Sequence, residues 1–524
     1  MKSTPRRYLL FTVFVSGMTS LAVELSAARL LGNIFGTSNL VWANIIGLIL
    51  LYLAAGYFIG GRWADRSPHP RTFYRILLVA AFLTGVVPLV ARPVLQLAAR
   101  AVFNLDLGVV GGSFLGVLAL FSAPVTLLGC ASPFAIRLAI TDPAEAGKVS
   151  GQIYAISTFG SLIGTFLPVL VLIPAIGTTF TFLTFAGALF VVALIGVWRV
   201  EGDRREIAAA FLMLIAISVL AAFTLSGPIK PIDGLIYEAE SEYNLVQVVQ
   251  SGDTRYLLLN EGQGIHSIYD PNRLITTGPW PYFLIAPYFN RAPFPPKQVD
   301  SLALVGLAAG TIPKLYTVVY GPQVHMDGIE IDPGIVEAGR QYFAMNEPNL
   351  NVIVADGRWA LNHLTRRYAV IGVDAYRVPY IPWHLTTQEF FEEARARLKD
   401  DGVLVVNVGR APNDRRLVEA MAGTLQSVFP SVHVVDVPDT FNSIVYATVQ
   451  PTQAGNLQQN LDQLPLDAHP LLYATLTRAL QSLQPTPPAD LVFTDDRAPV
   501  EWISDSIVLN FFLQGGVQQL ETVK

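Results

Sequence analysis

The sequence predicts two fold classes in one chain: an α-helical membrane domain of about seven spans, then an α/β domain with a parallel sheet and a small antiparallel β-sheet at its start. The apolar residues concentrate before Gly227, in stretches near the 20 residues that a bilayer requires. Between 301 and 376, short apolar runs alternate with helical patterns, which is typical of buried parallel strands. Between 235 and 270, runs in which apolar and polar residues alternate are separated by turn residues, which predicts β-hairpins.

These patterns divide the chain into four segments. Residues 1–226 form the multi-pass transmembrane domain, and residues 227–298 contain a Pro/Gly linker and the hairpin domain. Residues 299–450 carry the parallel-sheet domain, and residues 451–524 form a tail with helical patterns.

Seven apolar segments are long enough to cross a bilayer, and small residues inside them suit close packing of helices. The first is too long for a cleavable signal and lacks a cleavage pattern. The segments are about 8–31, 38–60, 74–92, 108–132, 150–173, 177–198 and 207–226.

The distribution of Lys and Arg predicts the orientation of these segments. Twelve such residues fall in the loops on the N-terminal side, against three on the opposite side (Arg92, Arg100 and Lys230). We therefore expect a multi-pass protein of the cell (inner) membrane with a cytoplasmic N-terminus. Seven spans would place the second half outside the cytoplasm, so its side stays open at this stage.

Two features of the membrane half have alternative explanations. Glu24 lies deep in the first span, where a carboxylate is either functional or paired with a group such as Arg29. The loop Gly60-Gly-Arg-Trp-Ala-Asp-Arg66 resembles the loop between the second and third helices of major-facilitator transporters. A tight turn with a basic anchor explains it equally well.

Composition excludes some classes of protein. Only 14% of the residues are charged, well below the roughly 25% of soluble domains. The net charge is −5 and no basic patch with interleaved aromatic residues occurs, which argues against a nucleic-acid partner. The single cysteine, Cys130, excludes a disulfide within the chain.

The α/β segment places polar residues after successive apolar runs. A glycine turn, Gly306-Leu-Ala-Ala-Gly310, follows the first run, and glycines let backbone approach a ligand closely. Glu330 ends the second run, where an acid can accept both hydroxyls of a ribose. Asp356 ends the third run, where its carboxylate can accept a hydrogen bond from an exocyclic amine. Asp374 ends the fourth run and is left facing the reacting group. This series predicts a site for a nucleoside cofactor, most simply an adenosyl sulfonium that needs no metal.

The second half resembles the spermidine synthase family of polyamine aminopropyltransferases, and the whole chain resembles its membrane-fused bacterial branch. This resemblance implies a Rossmann-like, methyltransferase-type domain and decarboxylated S-adenosylmethionine as co-substrate. It also implies an acceptor amine such as putrescine, and a homodimer. The motifs that carry it are Ser241-Glu-Tyr243, Gly306 to Gly310, Glu330-Ile-Asp332, Asp356, Asp374, 384–390 (HLTTQEF) and 494–501 (TDDRAPVE).

The resemblance assigns roles to individual residues. Asp374 falls on the base that deprotonates the attacking amine, Glu330 on the residue that holds the ribose and Asp356 on the one that holds the adenine. The residues predicted to bind the cofactor are Gly306, Gly310, Glu330, Asp332, Asp356, Gly357 and Asn244. The residues predicted to line the substrate pocket are Tyr243, His266, Tyr376 and His384.

Several positions depart from the family pattern. Ala309 replaces the acid of the glycine loop, Asn244 replaces a Gln, and Arg377 replaces a second acid. A positive charge near Asp374 would lower its pKa and repel a cationic amine, so Asp374 is alternatively a structural partner of Arg377. His266 and His384 are either pocket residues or ordinary polar groups.

Three functions follow from these observations. The first is a membrane-anchored aminopropyltransferase. The second is an S-adenosylmethionine-dependent methyltransferase, because a site with Ala309 in place of the loop acid is less selective between sulfonium cofactors. The third is a non-catalytic ligand-binding domain on a transporter-like membrane protein.

Overall fold

The structure is a computed structural model that describes residues 5–35, 39–103, 108–200, 203–225, 227–260, 264–376 and 380–513. It divides into two compact units. The first, the membrane unit, comprises Met1–Pro231 and Glu240–Asn244. The second, the α/β unit, comprises Ile232–Ala239 and Leu245–Lys524.

The membrane unit is built from long helices. Pro168–Leu172 continue the sixth helix as a π-helical turn. The helices are α1 (Arg6–Phe35), α2 (Asn39–Arg66), α3 (Pro70–Phe103), α4 (Gly108–Gly129), α5 (Ala131–Ala139), α6 (Ala146–Leu167), α7 (Ile173–Arg199) and α8 (Arg204–Thr224).

Within the described ranges, six helices are long and apolar enough to cross a membrane. The sequence predicted seven segments. The difference lies in one continuous helical stretch of 57 residues, Pro143–Arg199, which contains the predicted segments 150–173 and 177–198.

The chain reverses direction inside this 57-residue stretch. Gly177 has φ 77°, a left-handed conformation that is open to glycine at little cost. Before it, α6 runs parallel to α1, since Gly160 packs on Phe14 and Gly164 on Met18. After it, α7 runs antiparallel to α1, since the Tyr8 hydroxyl donates to the Val192 carbonyl at 2.6 Å and the Thr19 hydroxyl donates to the Phe185 carbonyl at 3.4 Å.

The break at Gly177 also exposes backbone N–H groups that need acceptors. The backbone N–H and the hydroxyl of Thr178 donate to the Glu240 carboxylate, at 2.9 and 3.0 Å. The Arg29 guanidinium of α1 donates to the Ser241 carbonyl. The segment Glu240–Asn244 is thus part of the membrane unit by its own hydrogen bonds.

The α/β unit begins with a four-stranded sheet in the order β1-β2-β3-β4. Strands β2 and β3, and β3 and β4, pair antiparallel. The strands are β1 (Leu235–Glu240), β2 (Leu245–Ser251), β3 (Thr254–Leu259) and β4 (Ile265–Tyr269).

The second sheet of this unit has eight strands and a helical layer on each face. Its first elements are β5 (Ser301–Val305), α9 (Thr311–Tyr320), β6 (His325–Glu330), α10 (Pro333–Tyr342), β7 (Leu350–Val354), α11 (Gly357–His363) and β8 (Tyr368–Val373). Its later elements are α12 (Gln388–Ala396), β9 (Leu398–Gly409), α13 (Arg416–Gln426), β10 (Ser431–Asp436) and β11 (Asn442–Thr448). The tail contributes α14 (Asn456–Asp462), α15 (Pro470–Gln481), β12 (Leu483–Gln484) and α16 (Val500–Leu513).

The order of this sheet is β12-β10-β11-β9-β8-β5-β6-β7. Strands β5 to β9 are parallel, and β11 is antiparallel to β9. The strand order reverses between β5 and β8, and ligands bind open α/β sheets at this kind of switch point, beyond the carboxyl ends of the strands. The Rossmann-like, methyltransferase-type fold predicted from sequence is therefore present.

The packing of α1 on α6 makes a direct test of the membrane unit. A Cβ at Gly164 would lie 2.0 Å from the Met18 carbonyl oxygen, whereas one at Gly151 of the same helix would meet nothing within 4 Å. We expect Gly164→Ala to destabilise the unit by about 1–3 kcal/mol through overpacking. Gly151→Ala should be neutral or stabilising by up to about 1 kcal/mol, through helix propensity.

Thermal unfolding of both variants in detergent measures this difference. Equal midpoints for the two variants would contradict the close α1–α6 contact.

Candidate functional site

The candidate site lies at the carboxyl ends of the adjacent strands β8, β5 and β6. The chain leaves β5 at Gly306, which has φ 91°. A Cβ at this position would lie 2.5 Å from the Asp374 carbonyl oxygen and 2.6 Å from the Ala375 nitrogen. Only glycine lets the turn after β5 rest directly on the backbone after β8. This contact brings the glycine turn and Asp374 together.

Glu330 ends β6 and lies against the same turn. Its carboxylate accepts the backbone N–H of Ala308 at 2.9 Å and that of Asp332 at 3.1 Å. Burial raises the pKa of Glu330 to about 7, while these N–H groups act in the opposite direction. The two fixed donors orient the carboxylate and leave its other lone pairs available to a ligand.

Asp332 and Gly310 shape the turn rather than face a ligand in this conformation. Asp332 is fully buried, and its carboxylate caps α10 by accepting the Gly334 N–H at 2.9 Å. Gly310 also has a positive φ, and a Cβ there would strike the Met345 side chain at 2.6 Å. Both residues therefore support Glu330 and the glycine turn.

Asp356 follows β7 and opens α11. One carboxylate oxygen caps the helix by accepting the Trp359 N–H at 2.9 Å. The other lies 3.0 Å from Nε2 of His384. Gly357 packs under Val305, where a Cβ would approach Cγ1 to 2.4 Å. The structure thus pairs two predicted site residues, Asp356 and His384, that are distant in sequence.

Asp374 follows β8 and is bound by an amide. The Asn407 side chain donates to its carboxylate at 2.8 Å, and the Asn442 side chain donates to the Asn407 amide oxygen at 2.9 Å. Burial raises the pKa of Asp374 to about 7, against the opposing effect of the Asn407 hydrogen bond. A half-buried acid that titrates near neutrality suits a group that accepts a proton in the reaction.

The remaining predicted residues have different surroundings. Tyr376 donates its hydroxyl to the Asn407 carbonyl at 3.2 Å, so it lies beside the amide that holds Asp374. His266 is half-buried on β4, and burial lowers its pKa to about 4, so it is neutral at pH 7. Tyr243 and Asn244 lie in the Glu240–Asn244 segment of the membrane unit. Arg377 lies outside the described residues.

The structure adds residues that the sequence reasoning missed. Ser267 accepts the Ala309 N–H at 3.0 Å and so ties β4 to the glycine turn. Asn407 is 4% exposed and lies within the apolar second half of strand β9, 402–408. Its signal in the sequence was a single polar residue in the run GVLVVNV. No pattern in the sequence marked Ser267.

A charged network braces the Asp356–His384 pair. The Arg358 guanidinium of α11 binds Glu393 of α12 at 2.6 and 2.8 Å, and Asp495 of the tail at 2.7 and 2.9 Å. Asp495 also accepts the Thr387 hydroxyl at 2.7 Å, near the start of α12. The tail motif TDDRAPVE therefore fixes α11 and α12 together on the side from which Asp356 and His384 project.

Comparison with known proteins agrees with this geometry. Residues 306–459 match the spermine/spermidine synthase domain. A probable polyamine aminopropyl transferase of Bifidobacterium longum (strain NCC 2705) is 30% identical over 284 residues, which cover 51% of this chain and 61% of that protein. A polyamine aminopropyltransferase of Vibrio vulnificus (strain CMCP6) is 28% identical over 241 residues, 44% of this chain and 77% of that protein.

A more distant relative is the eEF1A lysine and N-terminal methyltransferase of Mus musculus. It is 28% identical over 167 residues, which cover 29% of this chain and 23% of that protein. The chain spans about three fifths of the Bifidobacterium relative.

The α/β unit therefore has a Rossmann-like sheet, and residues 306–459 of this unit match the spermine/spermidine synthase domain. In the chain it follows a helical unit whose helices are long and apolar enough to cross a membrane. The resemblance predicted from sequence is confirmed for this half of the chain.

The tail brace can be tested with two neighbouring aspartates. We expect Asp495→Asn to weaken binding of methylthioadenosine roughly threefold to tenfold, because an ion-pair network of this kind contributes about 1 kcal/mol. Asp496→Asn removes the same charge from the next, exposed residue and should leave binding unchanged. Calorimetry on the full chain in detergent measures both. Equal affinities would contradict a role for the tail in holding the Asp356–His384 pair.

Proposed function

We propose that this protein is a membrane-anchored aminopropyltransferase. It would transfer the aminopropyl group of decarboxylated S-adenosylmethionine to an amine such as putrescine. The observation that carries the proposal is the half-buried carboxylate of Asp374, held beside the glycine turn in a segment that matches the spermine/spermidine synthase domain.

The donor would lie across the ends of β5 and β6. Glu330 has the free lone pairs needed to accept the two ribose hydroxyls, and the Asp356–His384 pair would receive the adenine edge. The positive sulfonium would lie toward Asp374. Because the sulfonium itself supplies the leaving group, the reaction needs no metal.

Asp374 would bind the acceptor as a cation and then take its proton. The freed nitrogen lone pair forms the N–C bond to the aminopropyl carbon as the C–S bond breaks. The electrons of that bond remain on sulfur, which leaves methylthioadenosine as a neutral thioether. Orientation of the two reactants and proton removal are the contributions of the protein.

A methyltransferase is the second candidate, favoured by the similarity to the mouse methyltransferase and by Ala309. Ala309 offers only its backbone N–H, which already donates to Ser267. Titration with S-adenosylmethionine and with its decarboxylated form, followed by product analysis, separates the two functions. Binding of S-adenosylmethionine alone would replace the first proposal by the second.

The membrane unit would cross the inner membrane seven times with a cytoplasmic N-terminus. The reversal at Gly177 supports two crossings in Pro143–Arg199, because 57 residues of helix measure about 85 Å against a core of about 30 Å. Helix α3 is antiparallel to α7, since Tyr74 packs on Gly196 and Ala186 near Gly85.

Helix α8 runs parallel to α3, which places its end on the side opposite the N-terminus. Its Glu206 binds Arg71 at 2.9 Å, and its Ile217 packs near Gly85. The α/β unit would then begin on the outer side, where its donor has to be supplied.

The role of Asp374 predicts a specific loss. We expect Asp374→Asn to reduce aminopropyl transfer by about 100-fold or more, because proton transfer contributes roughly 10²–10⁴-fold. Binding of methylthioadenosine should be retained. Asp400→Asn, which changes a 96% exposed side chain, is the matched control. Full activity of Asp374→Asn would remove the assignment of the base.

The pH profile gives an independent readout. The amine kcat/KM at saturating donor should fall about tenfold per unit below about pH 7, because the carboxylate must be ionised and its pKa is raised to about 7. Glu330 titrates in the same range, so nucleoside binding should also weaken there, in wild type and in Asp374→Asn alike. A flat amine kcat/KM from pH 5 to 8 at saturating donor is incompatible with Asp374 as the base.

The topology can be tested with single cysteines. Cys130 is the only cysteine of the sequence, so Cys130→Ala removes it and one new cysteine can then be introduced. The two positions are Thr4→Cys, near the N-terminus, and Leu466→Cys, where the leucine side chain is fully exposed. In intact spheroplasts, an impermeant maleimide should label Leu466→Cys, and should label Thr4→Cys only after permeabilisation. Labelling of both on the same side would contradict seven crossings. The reverse pattern would invert the orientation.

A further inference from the structure

We propose that the membrane unit has a functional site of its own at Glu24. The carboxyl group of Glu24 is protonated at rest and gives up its proton when a monovalent cation binds in its place. This goes beyond aminopropyl transfer and depends only on the crossing of the membrane by α1. It is carried by the position of Glu24 inside an apolar helix, where the side chain has no partner among the described residues.

Glu24 lies in the part of α1 that would cross the hydrocarbon core. The apolar stretch Arg6–Gly32 has 27 residues, so its middle is residue 19 and Glu24 lies five residues further on. At 1.5 Å per residue, this is about 8 Å from the centre of a core about 30 Å thick. A carboxylate at such a depth is costly unless a cation accompanies it, so the neutral acid is the stable form when no cation is bound.

The structure does not provide the cation. The sequence offered Arg29 as a partner of Glu24, but the Arg29 guanidinium donates to the Ser241 carbonyl. Glu24 is half-buried and has no hydrogen bond or ion pair with any described residue. By contrast, Glu206, in the first turn of α8, binds Arg71 at 2.9 Å. Glu24 therefore differs from a carboxylate held in a structural ion pair.

The elements packed against α1 do not change this picture. All their charged groups except Arg92 lie within two turns of a helix end or in the segment Glu240–Asn244, and Arg92 donates to the Pro228 carbonyl at 3.1 Å. Among the described side chains, these groups are Arg62, Asp65, Arg66, Arg71, Arg75, Arg92, Arg137, Lys148, Arg199, Glu240 and Glu242. The other titratable groups are Tyr52, Tyr57, Tyr74, Tyr154, Tyr243 and Cys130, and side chains of these two types are uncharged near neutral pH.

Two buried hydroxyl groups near Glu24 are also unpaired. Ser26 is 1% exposed and Tyr52 is 7% exposed, and neither hydroxyl bonds to a described group. Tyr52 belongs to the same apolar cluster as Val23 and Ala27, which flank Glu24 along α1. Buried polar groups are paired in nearly all native structures, so hydroxyls of this kind point to a bound water or ion.

An irregular turn of helix lies at the same depth. Gly164 packs on Met18, and α6 runs parallel to α1. Six residues further along both helices, Glu24 is therefore level with the π-helical turn Pro168–Leu172. Single π-helical turns inside α-helices are frequent at functional sites. The carboxyl group, the hydroxyls and this turn thus occupy one level of the bundle.

The charge of Glu24 sets the class of ligand. When a cation binds, the acid proton leaves to water and the carboxylate oxygens bind the cation, so the net charge within the core does not change. One carboxylate balances one positive charge, and hydroxyl oxygens add acceptors for an ammonium group or ligands for a metal ion. The ligand is therefore a monovalent cation, either an inorganic ion such as Na⁺ or a primary ammonium group.

Labelling with dicyclohexylcarbodiimide tests the resting state on the full chain in detergent. This apolar reagent adds to a protonated carboxyl group: the acid proton goes to a carbodiimide nitrogen, and the carboxyl oxygen bonds to the central carbon. At pH 7.5 we expect mass spectrometry to show Glu24 labelled about tenfold or more above Glu206, because a carboxylate paired with arginine stays ionised. Equal labelling of the two residues, or no label on Glu24, would overturn the proposal.

Competition by cations tests the exchange. We expect Na⁺ or butylammonium to lower the labelling of Glu24 about fivefold or more, and choline at equal ionic strength, which has no N–H donor, to leave it unchanged. The protecting cation should release about one proton per ion bound, measured with an indicator in weakly buffered solution. Protection by Na⁺ alone would identify an inorganic-ion site, and protection by butylammonium an amine site. Labelling that neither cation lowers would reduce Glu24 to a buried acid and overturn the proposal.

Two substitutions of Glu24 complete the test. Glu24→Gln should abolish both the labelling and the proton release, and Glu24→Asp should restore them, while aminopropyl transfer stays at the wild-type level in both variants. Proton release from Glu24→Gln equal to that of wild type would assign the exchange to another group. Because the readouts are separate, a failure of aminopropyl transfer is distinguishable from a failure of proton exchange.

Discussion

The close contact between Gly306 and the backbone after Asp374 is the constraint on which the site depends. It exists because β5 lies between β6 and β8, and because the residue after β5 has no side chain and adopts a positive φ. A larger residue would push the turn away from β8. The same turn supplies the Ala308 N–H that orients Glu330, so one backbone conformation fixes the positions of both acids.

Among the described residues, the electrostatics of the site follow from burial and from neutral hydrogen-bond donors to its two acids. Glu330 is held by backbone N–H groups and Asp374 by an amide. Neutral donors stabilise a carboxylate less than an arginine does, so desolvation dominates and both pKa values rise to about 7. Around Arg358 the reverse holds, because its hydrogen bonds lower the pKa of Glu393 and of Asp495. The chain thus keeps Glu330 and Asp374 apart from its structural ion pairs.

The membrane unit shows how a single residue sets topology. Without the left-handed Gly177, α6 and α7 would form one helix too long for a bilayer. The reversal leaves Thr178 with groups that need acceptors, and Glu240 provides them. The first N–H groups of a helix have no partner within the helix, which explains why a carboxylate accompanies the break.

The sequence by itself determined the two-part organisation, the parallel sheet and the order of Gly306, Glu330, Asp356 and Asp374. Apolar runs ended by carboxylates are a local pattern, and parallel strands bring their carboxyl ends to one edge. Only the tertiary structure decided which groups hold these acids. Asn407, Ser267 and Asp495 reach the site from a distant strand, hairpin and tail, and such contacts leave no periodic signal. The direction of α7 relative to α1 likewise depended on the conformation of one glycine, because hydropathy measures the length of a helix and not the point at which it turns back.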